Sequence, residues 1–447
     1  MRIDALNVLA LLLLPSLAGA ASFTSLGFLD GEASSFANGV STDGMVVVGQ
    51  SRAAVRWTSG KIERLSTFDL TELLGSYASG VSSDGSVAVG TSATGLCNNC
   101  PAEGVLWSDG SVTALGLLLT APEHHAESAA TAVSADGTTV VGYSSCTDFS
   151  DAFPCMPTSA VSSGLHLEAF RWVNGVMAGL GAVPGASHSQ AFGVSANGAV
   201  VVGTVGDTNA DQAFRWTDGV MTGLGYLPGG GASAAYGVSA DGAIVVGQSK
   251  NSAANVEAFR WADRVMTGLG NLPGGSYSSA EAISADGSVA VGTADTAEVS
   301  GAIDREAFVW TESKGMQRLH DVLRANGATV PAGWTLSSAT GISQDGKWVV
   351  GYGSNSAGMN EAFVANIVPS KMVGTDGGGG ALGGFSLTAL ALLGLARRMQ
   401  HFLRLTKSAR IGECLHYPMD FFSGTDLRTR FRGQFRESRS IRPECTA

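Results

Sequence analysis

Short apolar runs alternate with clusters of turn-forming residues along most of the chain, and the alternation repeats. The stretch from Gly39 to Gly49, Gly-Val-Ser-Thr-Asp-Gly-Met-Val-Val-Val-Gly, returns at 80–90, 132–142, 193–203, 237–247, 282–292 and 341–351, seven copies in all. Each copy is followed by an aromatic-x-Trp segment or a variant of it: Val55-Arg56-Trp57, Val105-Leu106-Trp107, Phe170-Arg171-Trp172, Phe214-Arg215-Trp216, Phe259-Arg260-Trp261, Phe308-Val309-Trp310 and the altered Phe363-Val364-Ala365. A third segment closes the unit at Leu65, Leu115, Leu180, Leu224, Leu269 and Leu319. The Ser-x-Asp-Gly stretches, and Asn-Gly or Asp-Gly after several of the tryptophans, predict hairpin turns that need positive φ. The valine runs lack polar alternation and predict strands buried on both faces, while Phe170 and Trp172, two apart, point to one side. Four strands per unit predict an all-β fold, a seven-bladed β-propeller of four-stranded antiparallel blades.

The two ends of the repeat region predict how the ring closes. Phe23 to Leu29 matches the third segment, and the interval from Gly27 to Gly39 equals that from Gly181 to Gly193 and from Gly225 to Gly237. The last copy has three strands and no fourth. An N-terminal strand that completes the last blade removes both exposed sheet edges.

Outside the repeat, composition changes the picture at each end. Residues 1–20 run from Arg2 through an apolar stretch to Ala18-Gly19-Ala20 and read as a signal peptide cut after Ala20. Residues 21–368 form the propeller, 369–380 a Gly-rich linker, 381–398 an apolar segment stopped by Arg397-Arg398, and 399–447 a basic tail predicted to be disordered. The apolar segment reaches about 24 Å as a helix, the lower limit for a bilayer, so membrane contact before any processing is expected there. A Gly-rich linker, short apolar helix and Arg cluster resemble the C-terminal sorting tags of the Gly-Gly and PEP-CTERM types, which imply removal by a membrane protease. The repeat itself, with Glu168-Ala-Phe, Gln212-Ala-Phe, Glu257-Ala-Phe, Glu306-Ala-Phe and Glu361-Ala-Phe, resembles the HAF family of probable extracellular repeat proteins. That resemblance implies export, to the extracellular space or the bacterial surface and outer envelope, and a repeat fold; it implies no particular activity.

Charge excludes one class of partner. Residues 21–368 carry 31 acidic and 14 basic side chains, and a surface this acidic is unsuited to nucleic acid, whose affinity comes chiefly from neutralised phosphates. The Asp of each Ser-x-Asp-Gly, with Asn197 in one copy, is read as a turn former and not a calcium ligand, because Asn shares the geometry without the charge. The recurring Glu168, Glu257, Glu306 and Glu361 are read as structural, as are Arg56, Arg171, Arg215 and Arg260. No metal site, cofactor or catalytic residue is predicted: no His-Glu-x-x-His, nucleophile-elbow, phosphate-loop or dinucleotide motif is present, and Cys97-x-x-Cys100 with Cys146 and Cys155, a conceivable four-cysteine zinc set, is read instead as disulfide-forming.

Length variation concentrates in the loop between the second and third strands of each unit, and binding surfaces lie on such loops. Four of the six cysteines, Cys97, Cys100, Cys146 and Cys155, fall there, and in an exported chain they predict local disulfides. His124, His125, His166 and His188, with Tyr226 and Tyr277, are the candidate residues of that face. The expectation is a secreted or surface-retained binding or scaffold protein that recognises a polysaccharide or protein of the envelope or extracellular space; the alternative is an extracellular hydrolase or lyase acting on glycans. An enzyme requires an asymmetric cluster of ionisable groups near the axis, whereas a scaffold is expected to show a channel lined by the repeated Gly-Val-Ser strand.

Overall fold

The computed structural model describes residues 21–68, 75–93, 102–118, 126–147, 165–207, 210–296 and 305–368. The apolar segment at 381–398 and the tail at 399–447 lie outside them, as do residues 1–20, read from sequence as a signal peptide, and Cys97, Cys100, Cys155, His124 and His125. Among the described residues no helix is long and apolar enough to cross a membrane.

Seven four-stranded antiparallel sheets follow one another along the chain, and six of them are formed from four consecutive strands. Blades 1 to 6 occupy 36–64, 76–114, 126–179, 188–223, 233–270 and 278–318. Blade 7 supplies its own three strands at Thr335–Ile342, Trp348–Ser354 and Asn360–Asn366, and its outer strand is Ser22–Ser25. The register runs from Ser22 opposite Asn366 to Ser25 opposite Phe363, and the ladder continues where the Leu26 N–H donates to the Ala362 carbonyl at 2.9 Å. The protein is therefore a seven-bladed β-propeller closed by its N-terminal strand. The segment at Leu319 ends blade 6 as expected, Leu319 directly following the outer strand Gly315–Arg318, and an additional helix, Leu319–Ala325, starts at that same leucine. Leu319 and Leu323 of that helix are fully buried in the seam between blades 6 and 7.

Buried serines stitch each blade to the next. The Ser35 hydroxyl donates to the Gly27 carbonyl at 2.7 Å and accepts the Ala362 N–H at 2.9 Å. Ser128, Ser189, Ser233 and Ser278 repeat both bonds with the outer and third strands of the blade before them. A buried hydroxyl that both donates and accepts is fully satisfied, so these bonds stabilise the seam without leaving an unpaired polar group. At the other end of the innermost strands, the Ser-x-Asp-Gly turns join hands around the axis. Thr42 N–H donates to Ser83 O, Ser83 to Ala135, Ala135 to Ala196, Ala196 to Ala240, Ala240 to Ala285 and Ala285 to Gln344.

One feature of the repeat positions everything inside the channel. In every blade the innermost strand bulges by one residue beside its neighbour, for instance between Ala37 and Gly39 or between Ala235 and Gly237. The glycine that ends each valine run faces that bulge, and a Cβ on Gly49, Gly90 or Gly247 would collide with the carbonyl of Phe36, Tyr77 or Ala234. Only glycine lets the two backbones approach this closely. Gly247→Ala is expected to destabilise the protein by about 3 kcal/mol, because backbone and not a flexible side chain must yield; thermal melting measures it.

Candidate functional site

Because a bulge re-aims the side chain it carries, the seven bulged residues Asn38, Ser79, Thr131, Phe192, Tyr236, Glu281 and Thr340 all face the central channel. The repeat is broken at this position. In blades 7, 1, 2 and 3 the residue is small and polar, and three of the four serve the fold. Thr340 Oγ1 donates to Ala37 O at 2.5 Å, Asn38 Nδ2 to Ala78 O at 2.8 Å and Thr131 Oγ1 to Ala191 O at 2.9 Å, each reaching the next blade. Blades 4, 5 and 6 replace them with Phe192, Tyr236 and Glu281, which line the opposite side of the channel.

The channel has two sections. A narrow one of about 270 Å³ is lined by the Gly-Val pairs, among them Gly39-Val40 and Gly80-Val81. That section agrees with the repeated lining expected from sequence. The wider section, about 470 Å³, lies toward the ends of the strands that carry the variable loops, and its wall adds Tyr77, Tyr277, Tyr352 and Arg305. Here the expectation of a uniform lining is corrected, because the bulge turns the one variable residue of the innermost strand inward.

Aromatic rings set the shape of the mouth. Phe192 and Tyr236 pack with centroids 5.6 Å apart, Tyr352 meets Phe36 edge-on at 4.9 Å, and the Arg305 guanidinium sits 4.7 Å from the centre of the Tyr277 ring. Those separations are the ones aromatic pairs and cation–π contacts favour. Tyr277 is held from behind: Asp295 accepts its N–H and that of Ser276, both at 2.7 Å.

Glu281 is the one carboxylate among the described residues of the wide section. Burial pushes its pKa above the ordinary glutamate value, and the Ser279 hydroxyl, 2.7 Å from Oε1, offsets part of that. Burial also raises the Tyr236 and Tyr277 hydroxyls, with the Glu281 charge adding to it, so both stay protonated at neutral pH. A carboxyl whose native pKa is raised holds its proton longer in the folded state than in the unfolded one. Its contribution to stability is therefore present in acid and is lost as pH rises through the native pKa. Glu281→Gln is expected to melt at the same temperature as the parent near pH 4 and higher than the parent at pH 8; parallel melting curves across that range would show that Glu281 is not strained by ionisation.

The other sequence candidates lie elsewhere. His188 starts the innermost strand of blade 4 and bonds Asp211 Oδ1 at 2.8 Å through Nε2. His166 is buried in the third strand of blade 3, opposite Cys146. Cys146 is itself buried and disulfide-bonded, to a partner outside the described residues. Tyr226 does not line the channel, and Tyr277 does. The repeated acidic groups act as turn and seam residues. Ser41 Oγ donates to Asp43 at 2.6 Å, the Met45 N–H does so at 3.0 Å, and the pattern recurs at Asp84, Asp136, Asn197, Asp241, Asp286 and Asp345. At Asp84 the Ser86 N–H and the Ser82 hydroxyl draw the carboxyl down to about 2. Glu168, Glu257 and Glu361 accept the N–H groups of Gly181, Gly270 and Gly27 at the ends of outer strands. Among the described residues no group of three or more His, Cys, Asp or Glu is placed to hold a metal ion.

No family model matches the chain, and no curated protein does. Solved structures that resemble it include oligogalacturonate lyase from Vibrio parahaemolyticus, 11% identical with a TM-score of 0.48, over 78% of this chain and 97% of that one. TolB from Acinetobacter baumannii is 11% identical with a TM-score of 0.37, over 64% of each chain. The β-propeller domain of the Trilobed protease from Pyrococcus furiosus is 9% identical with a TM-score of 0.32, over 67% and 98%.

Proposed function

We propose that this protein is an exported binding propeller of the HAF-repeat type that receives a saccharide unit of an envelope or extracellular glycan in the wide mouth of its channel. One observation carries the reading: three consecutive blades place Phe192, Tyr236 and Glu281 where the others place Thr, Asn or Ser. Nothing in the fold requires those three, since four blades manage with small residues at the same point. The wall of the resulting cavity combines aromatic rings with polar side chains, the combination that packs against the apolar faces of a sugar ring while bonding its hydroxyls. Its volume of about 470 Å³ falls within the ordinary range for small-molecule sites.

A second reading, hydrolysis or elimination on a glycan, is supported by Glu281, whose raised pKa is what a general acid needs. Hydrolysis by a pair of carboxylates lacks its second member among the described lining residues. A screen of the purified chain against neutral and acidic oligosaccharides, reading binding by calorimetry and product by chromatography, separates the two. Saturable binding with the sugar recovered intact supports the binding reading; new reducing ends or unsaturated products overturn it.

A further inference from the structure

On the opposite face, at the rim, the seam between blades 4 and 5 holds a second cavity of about 490 Å³ lined by Arg215, Thr222, Gly223, Leu224, Trp261 and Arg264. Its two arginines come from different blades. Arg215 lies on the third strand of blade 4 and its Nε donates to the Gly242 carbonyl of blade 5 at 2.9 Å, which fixes the side chain across the seam. Arg264 lies in the turn before the outer strand of blade 5.

That turn departs from its counterparts. Ser59-Gly60, Asp109-Gly110, Asn174-Gly175 and Asp218-Gly219 all put glycine at the second position, where φ is between 74° and 86°. Blade 5 has Asp263-Arg264 instead, and Arg264 holds φ at 65°. A side chain in this region is strained relative to glycine, and a two-residue hairpin of this kind selects glycine for that reason. The strain delivers a guanidinium to the cavity that already contains Arg215 and the Trp261 ring. Among the described residues neither arginine has a carboxylate within ion-pair distance. Arg215 acts on Asp241 only weakly: that carboxyl is drawn down mainly by Ser239 and the Ala243 N–H, with Arg215 a lesser cause. No other described seam sets an arginine of one blade against an arginine in the next blade's outer turn.

We propose that this cleft is a binding site for an acidic saccharide, a pyranose bearing a carboxylate or sulfate, with the two guanidinium groups on the oxyanion and the indole of Trp261 against the ring. Arginine suits this role because its planar donors meet an oxyanion two at a time. The site stands apart from the channel mouth in both position and chemistry.

The test uses the purified chain with three tetrasaccharides: one built on glucuronate, one sulfated and one neutral. Calorimetry should show millimolar or tighter, Arg264-dependent binding of an acidic one and no Arg264-dependent binding of the neutral one; comparing the two acidic arms identifies which oxyanion is preferred. Arg264→Gly restores the turn used by the other blades, so it should melt about 1–2 °C higher while affinity falls at least tenfold. Arg215→Lys keeps the charge but not the fork and should weaken binding by a smaller factor. A channel variant, Tyr277→Ala, should leave this binding unchanged, which separates failure of this site from failure of the channel. Neutral-sugar binding that Arg264→Gly weakens equally, no acidic sugar bound at millimolar concentration, or Arg264→Gly binding as tightly as the parent would each overturn the proposal.

Discussion

Removal of residues 21–30 is expected to lower the melting temperature by about 5–10 °C and to broaden the transition, the largest stability effect of any short deletion in the described chain. The lost segment contains Phe23, whose ring lies 5.2 Å from Trp334 and 5.7 Å from Phe363, and Leu26, which is buried among Val350, Ala362 and Val364. Burial of two such side chains stabilises by about 2 kcal/mol each. Deletion also takes away the Leu26 carbonyl that accepts the Trp57 Nε1–H at 2.8 Å and the Gly27 carbonyl that accepts the Ser35 hydroxyl. A buried donor left unpaired costs about 1–3 kcal/mol, and the third strand of blade 7 becomes an open edge for aggregation. The total of about 5 kcal/mol spreads over a domain of more than 300 residues, where each kcal/mol moves the midpoint by about 1–2 °C. Differential scanning calorimetry gives the answer: an unchanged midpoint would mean that the ring is held by its seams and not by its closing strand.

The fold was legible because a propeller repeats its constraints. Ser-x-Asp-Gly, the valine run and aromatic-x-Trp, with their variants, do the same physical work in blade after blade, so copies confirm one another, and the leftover Phe23 to Leu29 segment found its place by its match to the third segment and its spacing. The helix Leu319–Ala325 was not legible, since Leu319 closes blade 6 and packs into the next seam as the other closing leucines do, and the helix is added after it.

The channel site was hidden by the same repetition. Comparing copies draws attention to positions that agree, and the bulged residue lies one place before the agreed element begins. Its variability, Asn, Ser, Thr, Phe, Tyr, Glu and Thr in an otherwise constant strand, is the signal that marks it. What the sequence lacked was the bulge itself, which turns that position toward the axis and depends on the glycine of the neighbouring strand. The histidines attracted notice as chemically versatile residues in variable loops, yet His188 is engaged with Asp211 and His166 is buried away from the channel.

Replacing the three exceptional residues by the small one used in blades 3 and 7, as Phe192→Thr, Tyr236→Thr and Glu281→Thr together, is expected to abolish saccharide binding at the channel mouth, a loss of at least 100-fold, while the propeller stays folded. Thr131 and Thr340 show that threonine fits the bulge and bonds the carbonyl of the next blade, so the variant gains the polar contact that its parent forgoes. It loses the Phe192–Tyr236 pair, about 0.5–1.5 kcal/mol beyond simple burial, and it removes a shielded carboxyl whose ionisation burial opposes. These effects oppose one another, and the melting temperature is expected to move by only a few degrees. Circular dichroism establishes that the sheet is intact, and calorimetry with the oligosaccharide selected by the screen reads the affinity. An intact propeller that still binds within threefold of the parent would place the ligand outside the channel, and Tyr277→Ala would then be expected to have no effect either. An intact propeller that has lost binding ties recognition to the three blades where the repeat departs from itself.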